Sequence, residues 1–242
     1  MITVQTHPRG RESCSCLMIV RDSERTIQDC MDSLLKANCF DKFIIILDTR
    51  TRDRTPEIFA WLQSINPKFQ VSWYEWKSDE FDRARNQALQ YADTAYGFWM
   101  DSDDVLLDIG GIYSLLINPL GAAYYFNILI PTPWGDMQGT KHLRLFPILP
   151  GVKWELPVHE QLAFSLRALG VPELPTPYRI LHVGYTTEDV VTDKHRRYYG
   201  IMSKYLKKHP EESPQTQYIR EQAQVSRGYL KSKGLLGGYY GL

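Results

Sequence analysis

The chain has 242 residues, 43% of them apolar, and its 28 basic and 28 acidic side chains balance to a net charge of zero. That size supports one large domain with a substantial core. No apolar run nears the roughly 18 residues needed to cross a bilayer, and the polar start lacks the apolar centre of a secretory signal, so a cytoplasmic protein is expected.

Residues 15–20 form a short apolar run that reads as a strand. Ser23 stands where an N-cap would, ahead of a helix with the apolar stripe Ile27, Cys30, Met31, Leu34 and Leu35. Because Cys14 and Cys16 fall on the strand and Cys30 on the stripe, the four cysteines, with Cys39, are expected to be buried free thiols rather than disulfides or zinc ligands. Residues 43–47 read as a strand buried on both faces. Thr55-Pro56-Glu57 then supplies a cap, a first-turn proline and an acidic helix start, with the helix running to about residue 63. A third strand over 71–76, a third helix over 82–92 and a fourth strand over 96–100 continue the alternation. Strands alternating with helices predict an α/β fold: a mainly parallel sheet flanked by helices, with right-handed crossovers.

The fourth strand stops in Asp101-Ser102-Asp103-Asp104, three carboxylates within four residues. Such charges are costly to bury unpaired, so the strand must end at a solvated site or a cation. On an extended chain Asp101 and Asp103 point to the same side and can converge on one hard metal ion. In parallel sheets ligands sit beyond the carboxyl ends of the strands, where Arg21-Asp22, Asp48 and the Asp101 to Asp104 run should share one crevice, with Arg83 and Arg85 on the helix between.

The second half is less regular. Strands are expected over 122–130, 142–146 and 178–183, separated by Pro- and Gly-rich turns. From Asp193 the pattern is helical, with Tyr198, Ile201, Met202, Tyr205 and Leu206 on one stripe; Pro210 and Pro214 break it before another helix. The glycine-rich tail from Gly234 is expected to be mobile. Residues 1–110 carry 13 basic and 18 acidic groups, whereas residues 191–242 carry 10 basic and 4 acidic. A basic arm of this kind either attracts an anionic partner or forms a solvated helix face, the commoner use.

Taken in order, these pieces resemble family 2 glycosyltransferases of the GT-A fold, in the branch often fused to tetratricopeptide repeats. The likeness spans residues 14 to 208 or so and is carried by Cys16 to Asp22 with Glu24, Asp48-Thr49 and Asp53-Arg54-Thr55, Phe81 with Ala84 to Leu89, and Trp99 to Leu106. It continues through Arg144-Leu145-Phe146, Val158-His159-Glu160-Gln161-Leu162 and His182-Val183-Gly184-Tyr185. The resemblance implies a GT-A catalytic domain over 1–190, with a nucleotide-sugar half at 1–110 and an acceptor half at 111–190, followed by a helical extension over 191–242. It implies transfer of a sugar, with inversion, from a nucleotide diphosphate sugar to an acceptor nucleophile. The donor is expected to be UDP-glucose or UDP-N-acetylglucosamine, and the acceptor a glycan, a protein or a nucleic acid.

On the same resemblance, Mn²⁺ or Mg²⁺ would sit between Asp101, Asp103 and His182, the imidazole favouring Mn²⁺, and would neutralise the departing diphosphate. Asp48 matches the contact to base and ribose. Arg85, whose fork of donors suits phosphate, would hold the nucleotide, with Arg21, Asn86, Ser102 and Arg197 beside it. Glu160 takes the place of the catalytic base, with His159 to position or assist it and Glu155 and Asp104 as the other carboxylates in reach. On a strand, His159 and Glu160 would face opposite ways. Trp134, Trp154, Tyr124 and Tyr125 are aromatic residues able to stack on a sugar or base, or to fill the core. The chain departs from the family in having Arg50-Thr51, within the basic run Arg50, Arg52 and Arg54, where a small Gly-Ser pair is usual. It also carries no repeats. A nucleotidyltransferase would need a glycine-rich loop after the first strand, which Arg21-Asp22-Ser23-Glu24 does not supply. A non-catalytic nucleotide-sugar or glycan-binding module is the other alternative, and it has no need to keep Asp101, Asp103 and Glu160 together.

Overall fold

The computed structural model describes residues 10–77, 79–184 and 187–236. Its first half alternates as the sequence pattern demands: β1 (Cys14–Val20), α1 (Ile27–Ala37), β2 (Lys42–Asp48), α2 (Thr55–Ile65), β3 (Phe69–Tyr74), α3 (Phe81–Gln90) and β4 (Tyr96–Trp99). Then follow β5 (Asp104–Leu106), α4 (Gly111–Ile117), β6 (Ala123–Pro131), β7 (Met137–Pro147), α5 (Ala163–Ala168), β8 (Glu173–His182), α6 (Glu188–Lys208) and α7 (Pro214–Ser232).

All eight strands join one sheet in the order β3-β2-β1-β4-β7-β6-β8-β5. β1 pairs in parallel with β2 and β4, and β2 with β3. Beyond β4 the sheet is mixed: β7 runs antiparallel to β4 and β6, β8 parallel to β6, and β5 antiparallel to β8. The sheet is wholly parallel in the first half, and in the second half only the β6–β8 pair keeps that sense. The reason is the β6–β7 hairpin, whose short turn permits an antiparallel pair where a parallel one would need a long crossover.

β2 shows why the first half is so regular. Phe43, Ile45 and Leu47 enter the cluster on one face of the sheet, with Ile27, Met31, Leu34 and Phe59 from α1 and α2, while Ile44 and Ile46 enter the other, with Ala84, Ala88 and Trp154. All four cysteines are buried and free. Ser23 is not the N-cap of α1: Thr26 precedes that helix without a side-chain cap, and the Ser23 hydroxyl lies 2.7 Å from that of Ser102. Pro214, expected only as a breaker, opens α7 at the first turn behind a Ser213–Thr216 capping box. α6 starts earlier than its stripe suggests, at Glu188, because the Thr187 side chain caps it. Among the described residues no helix is long and apolar enough to cross a membrane. Tyr185 and the last part of the tail, 237–242, lie outside the described residues.

Candidate active site

One cleft of about 1180 Å³ opens above the carboxyl ends of β1 and β4 and reaches across to α5, α6 and α7. Two loops close its first edge by exchanging carboxylates for backbone amides: Asp22 accepts from Arg52 N, Glu24 from Arg54 N, and Asp53 from Glu24 N. These bonds explain why the segments after β1 and β2 carry acids at those positions.

The acidic run after β4 is a turn rather than an extended strand, closed by Asp104 N donating to Asp101 O at 3.1 Å. The strand geometry expected for Asp101 and Asp103 is thus replaced by a turn that still brings them together. β8 supplies the fourth member. It pairs antiparallel with β5 so that His182 stands opposite Asp104, and Val183 N donates to Asp103 O. Oxygen or nitrogen atoms of Asp101, Asp103, Asp104 and His182 all lie within 4.8 Å of one another.

Asp104 is the buried organiser of this group. It has no exposure, lies 2.9 Å from Arg144 Nη2 and 2.8 Å from His182 Nδ1, and accepts from Asp101 N. It is therefore a positioning carboxylate, not a base open to an acceptor. A carboxylate on one imidazole nitrogen orients the other towards a ligand. Here the other nitrogen borders a hollow kept open by Gly184: a Cβ at that position would sit 2.8 Å from His182 Nε2 and would collide with Asp103 Oδ2. Two carboxylates and an imidazole around a space that only glycine leaves clear form a donor set suited to a divalent cation. Burial opposes charge on Asp101, but Arg85 and Arg144 outweigh it and hold the carboxyl well below the usual range. Burial, with Asp101 and Asp104 nearby, raises Asp103. For His182, burial is outweighed by Asp104 and Asp103, so its pKa is raised.

Two arginines tie this cluster to the rest of the cleft. Arg144, 1% exposed, lies 3.6 Å from the Trp99 ring centre. Arg85, on the buried face of α3, is held over Trp99 and Trp154 at 4.4 and 5.0 Å. It donates to Asp101 Oδ1 at 2.8 Å, and its Nε stands 3.8 Å from Glu160 Oε2. One guanidinium thus spans the acidic cluster and the expected base.

Glu160 sits in a loop, not a strand. His159 just before it has a left-handed φ of 54°, and both residues line the cleft instead of facing opposite ways. Burial pushes the Glu160 carboxyl from 4.5 up to about 7, against the pull of Arg85. His159 is driven down to about 4, first by burial, and its ring packs edge-on to Tyr198 at 5.2 Å. An imidazole neutral above that pH positions the loop but carries no charge. Glu155, the other carboxylate in reach, accepts from Gln215 Nε2 at 2.9 Å.

The remaining expected residues divide. Arg21, Ser102 and Arg197 line the cleft. Asn86 spends its amide on the chain itself, donating to Trp154 O at 2.9 Å and accepting from Trp154 N at 2.8 Å. Asp48 is wholly buried beneath Arg50, and Arg50 is the one of the two that lines the cleft. Of the aromatic residues, Tyr125 and Trp154 reach the cleft, Tyr124 is in the core, and Trp134 is half exposed near the β6–β7 turn. Sequence reasoning missed Lys194, which lines the cleft and donates to Gly184 O at 3.2 Å, and gave Arg144 no role. An arginine amid the apolar residues of β7 was the available signal for the latter.

Acidic groups, arginines and a raised glutamate are thus gathered beyond the carboxyl ends of an α/β sheet, the place where such sheets take their ligands. Residues 15–172 match Glycosyl transferase family 2, and the chain belongs to that family. It is 32% identical over 181 residues to a TPR repeat-containing protein of Synechococcus elongatus, covering 71% of this chain and 42% of that one. It is 25% identical over 205 residues to the SPbeta prophage-derived glycosyltransferase SunS of Bacillus subtilis, covering 81% and 46% respectively. The chain therefore spans less than half the length of these curated relatives. Among solved structures, S. aureus TarS 1-349 in complex with UDP-GlcNAc shares the fold with a TM-score of 0.53 and 15% identity, over 91% of this chain and 73% of that one. The sheet and its flanking helices are those of the GT-A fold.

Proposed function

We propose that the chain moves a sugar from a UDP-linked donor to an acceptor nucleophile, with inversion, and that a divalent cation assists it. The observation that carries this reading is Arg85 joining Asp101 to Glu160 across a single cleft, at 2.8 and 3.8 Å. Asp101, Asp103 and His182 would hold Mn²⁺ or Mg²⁺, which when bound would offset the charge of the departing diphosphate. Arg85, and Lys194 and Arg197 from α6, line the same cleft and supply positive charge there. Glu160 takes the acceptor's proton as the new bond to the anomeric carbon forms, and its value near 7 suits a base working at neutral pH. The choice of uridine is supported by the fold shared with TarS, which has been solved with UDP and with UDP-GlcNAc.

The test is release of UDP from a panel of UDP-sugars with Mn²⁺, with Mg²⁺ and with EDTA. Release that needs the cation, and that is lost in Asp103→Ala and in Glu160→Gln, is the expected result. Binding of UDP with no turnover of any donor would overturn the catalytic reading in favour of a binding module.

A further inference from the structure

We propose that Arg50, and not the carboxylate of Asp48, meets the nucleobase of the donor, by donating a hydrogen bond to a carbonyl oxygen of the base. The assignment rests on the nucleotide-sugar reading above and names the residue that selects the nucleotide.

Asp48 ends β2 at the margin of the cleft, yet its side chain has no exposure. Its Oδ1 accepts from the backbone N and the Nε of Arg50 at 2.9 and 3.0 Å, and its Oδ2 accepts from Arg50 Nη2 at 2.7 Å. Arg21 Nη1 stands 3.8 Å from the same Oδ2. A carboxylate offers about four lone-pair sites, so most of its capacity is used. Arg50 Nη2 also donates to the carbonyl of Trp76, which fixes the guanidinium from the loop after β3 as well as from β2.

The cleft wall at this end is built from Ile19, Arg21, Asp22, Arg50 and Trp76 and does not include Asp48. For a base N–H to reach Asp48, Arg50 would have to leave, stripping a buried carboxylate of its main partner, a costly change. Arg50 in place has a side chain 36% exposed, and its Nη1 takes part in none of these bonds. A guanidinium only donates, so its complement on a base is a carbonyl oxygen. Uracil carries such oxygens and adenine carries none. The pair Arg50-Thr51, in place of smaller residues, thus converts an acceptor at the end of β2 into a donor.

The experiment is calorimetric titration of the whole chain with UDP and with ADP, in the presence of Mn²⁺. The wild type should prefer UDP by about tenfold or more, the range for a hydrogen bond to a charged group. In Arg50→Ala that preference should fall towards unity through loss of UDP affinity. Asp48→Asn should weaken UDP as well, by releasing Arg50, and the double variant should be no worse than Arg50→Ala alone. If Asp48 reads the base, Arg50→Ala uncovers it: UDP then binds as well or better, and adding Asp48→Asn abolishes binding. That pattern overturns the assignment, as does a wild type that binds both nucleotides alike. Should Asp48→Asn fail to fold, the ratio in Arg50→Ala decides alone, since that side chain is partly exposed. A wild type that binds neither nucleotide overturns the nucleotide-sugar reading itself, whereas UDP selectivity that survives in Arg50→Ala overturns only the role of Arg50.

Discussion

Replacing Glu160 with glutamine should make the protein more stable and less active at the same time. Burial raises the Glu160 carboxyl from 4.5 to about 7 even with Arg85 close by. Below pH 4.5 the group is protonated in both folded and unfolded chains and contributes no difference. Between the two values the folded chain holds a proton that the unfolded chain has released, so stability falls as the pH rises, and above about 7 the whole penalty is present. At about 1.4 kcal/mol per pH unit, the displacement corresponds to about 3 kcal/mol. Glutamine keeps the shape and removes the ionisation. Glu160→Gln should therefore melt about 6 to 12 °C above wild type at pH 8, with most of the gain gone at pH 5. Its UDP release should drop by about a hundredfold or more, the usual worth of a general base, and wild-type release should fall as the pH is lowered through 7. Thermal melts at the two pH values, with initial rates of UDP release, measure both halves. A variant no more stable than wild type at pH 8, or equally stabilised at both pH values, would refute the argument from burial.

Three further outcomes follow from the geometry. Gly184→Ala puts a methyl group against Asp103 and 2.8 Å from His182 Nε2, so Mn²⁺ affinity measured by electron paramagnetic resonance should collapse while the circular dichroism spectrum is kept. Arg144→Met takes away the guanidinium 2.9 Å from the buried carboxylate of Asp104, leaving it His182 and Asp101 N, and should cost about 3 kcal/mol in urea unfolding, the low end for a broken buried pair. Tyr218→Phe removes the acceptor for Gln161 Nε2 at 3.0 Å; a stability loss of about 1 kcal/mol and a lower kcat at unchanged donor KM are expected, read from melts and steady-state rates.

The first half of the fold was legible because β1, β2 and β4 are short apolar runs, a helix follows β1 and β2, and β2 is apolar on both faces. The acidic cluster was legible as well, since three carboxylates after a buried strand need a reason. Its geometry was not. A turn and a three-residue strand, β5, set the positions of Asp101, Asp103 and Asp104, and elements that short leave no periodicity. His182 could be placed only by the resemblance, because its nearness to Asp104 comes from pairing between strands 78 residues apart. Asp48 illustrates another limit: its local pattern suggests an open acceptor, and the arginine that covers it is two residues away in a run that reads equally well as solvated charge.

The basic C-terminal helices gain a meaning from the same contacts. Leu156 and Val158, just before Glu160, are buried in the cluster formed by Tyr199, Met202, Ile219 and Ala223 of α6 and α7. His159 packs on Tyr198, Gln161 bonds Tyr218, and Glu155 bonds Gln215. The loop that carries Glu160 is thus gripped on successive residues by the two helices, while Lys194 and Arg197 line the cleft itself. Burial lowers the pKa of Lys194, and Asp103 acts against that. A boundary at residue 190 separates the helical stripe from the sheet in sequence, but the placement of the carboxylate at 160 depends on side chains from both sides of it. The positive charge of the arm is accordingly spent in part at the acidic cluster, where a diphosphate would need it, rather than wholly on a solvated face.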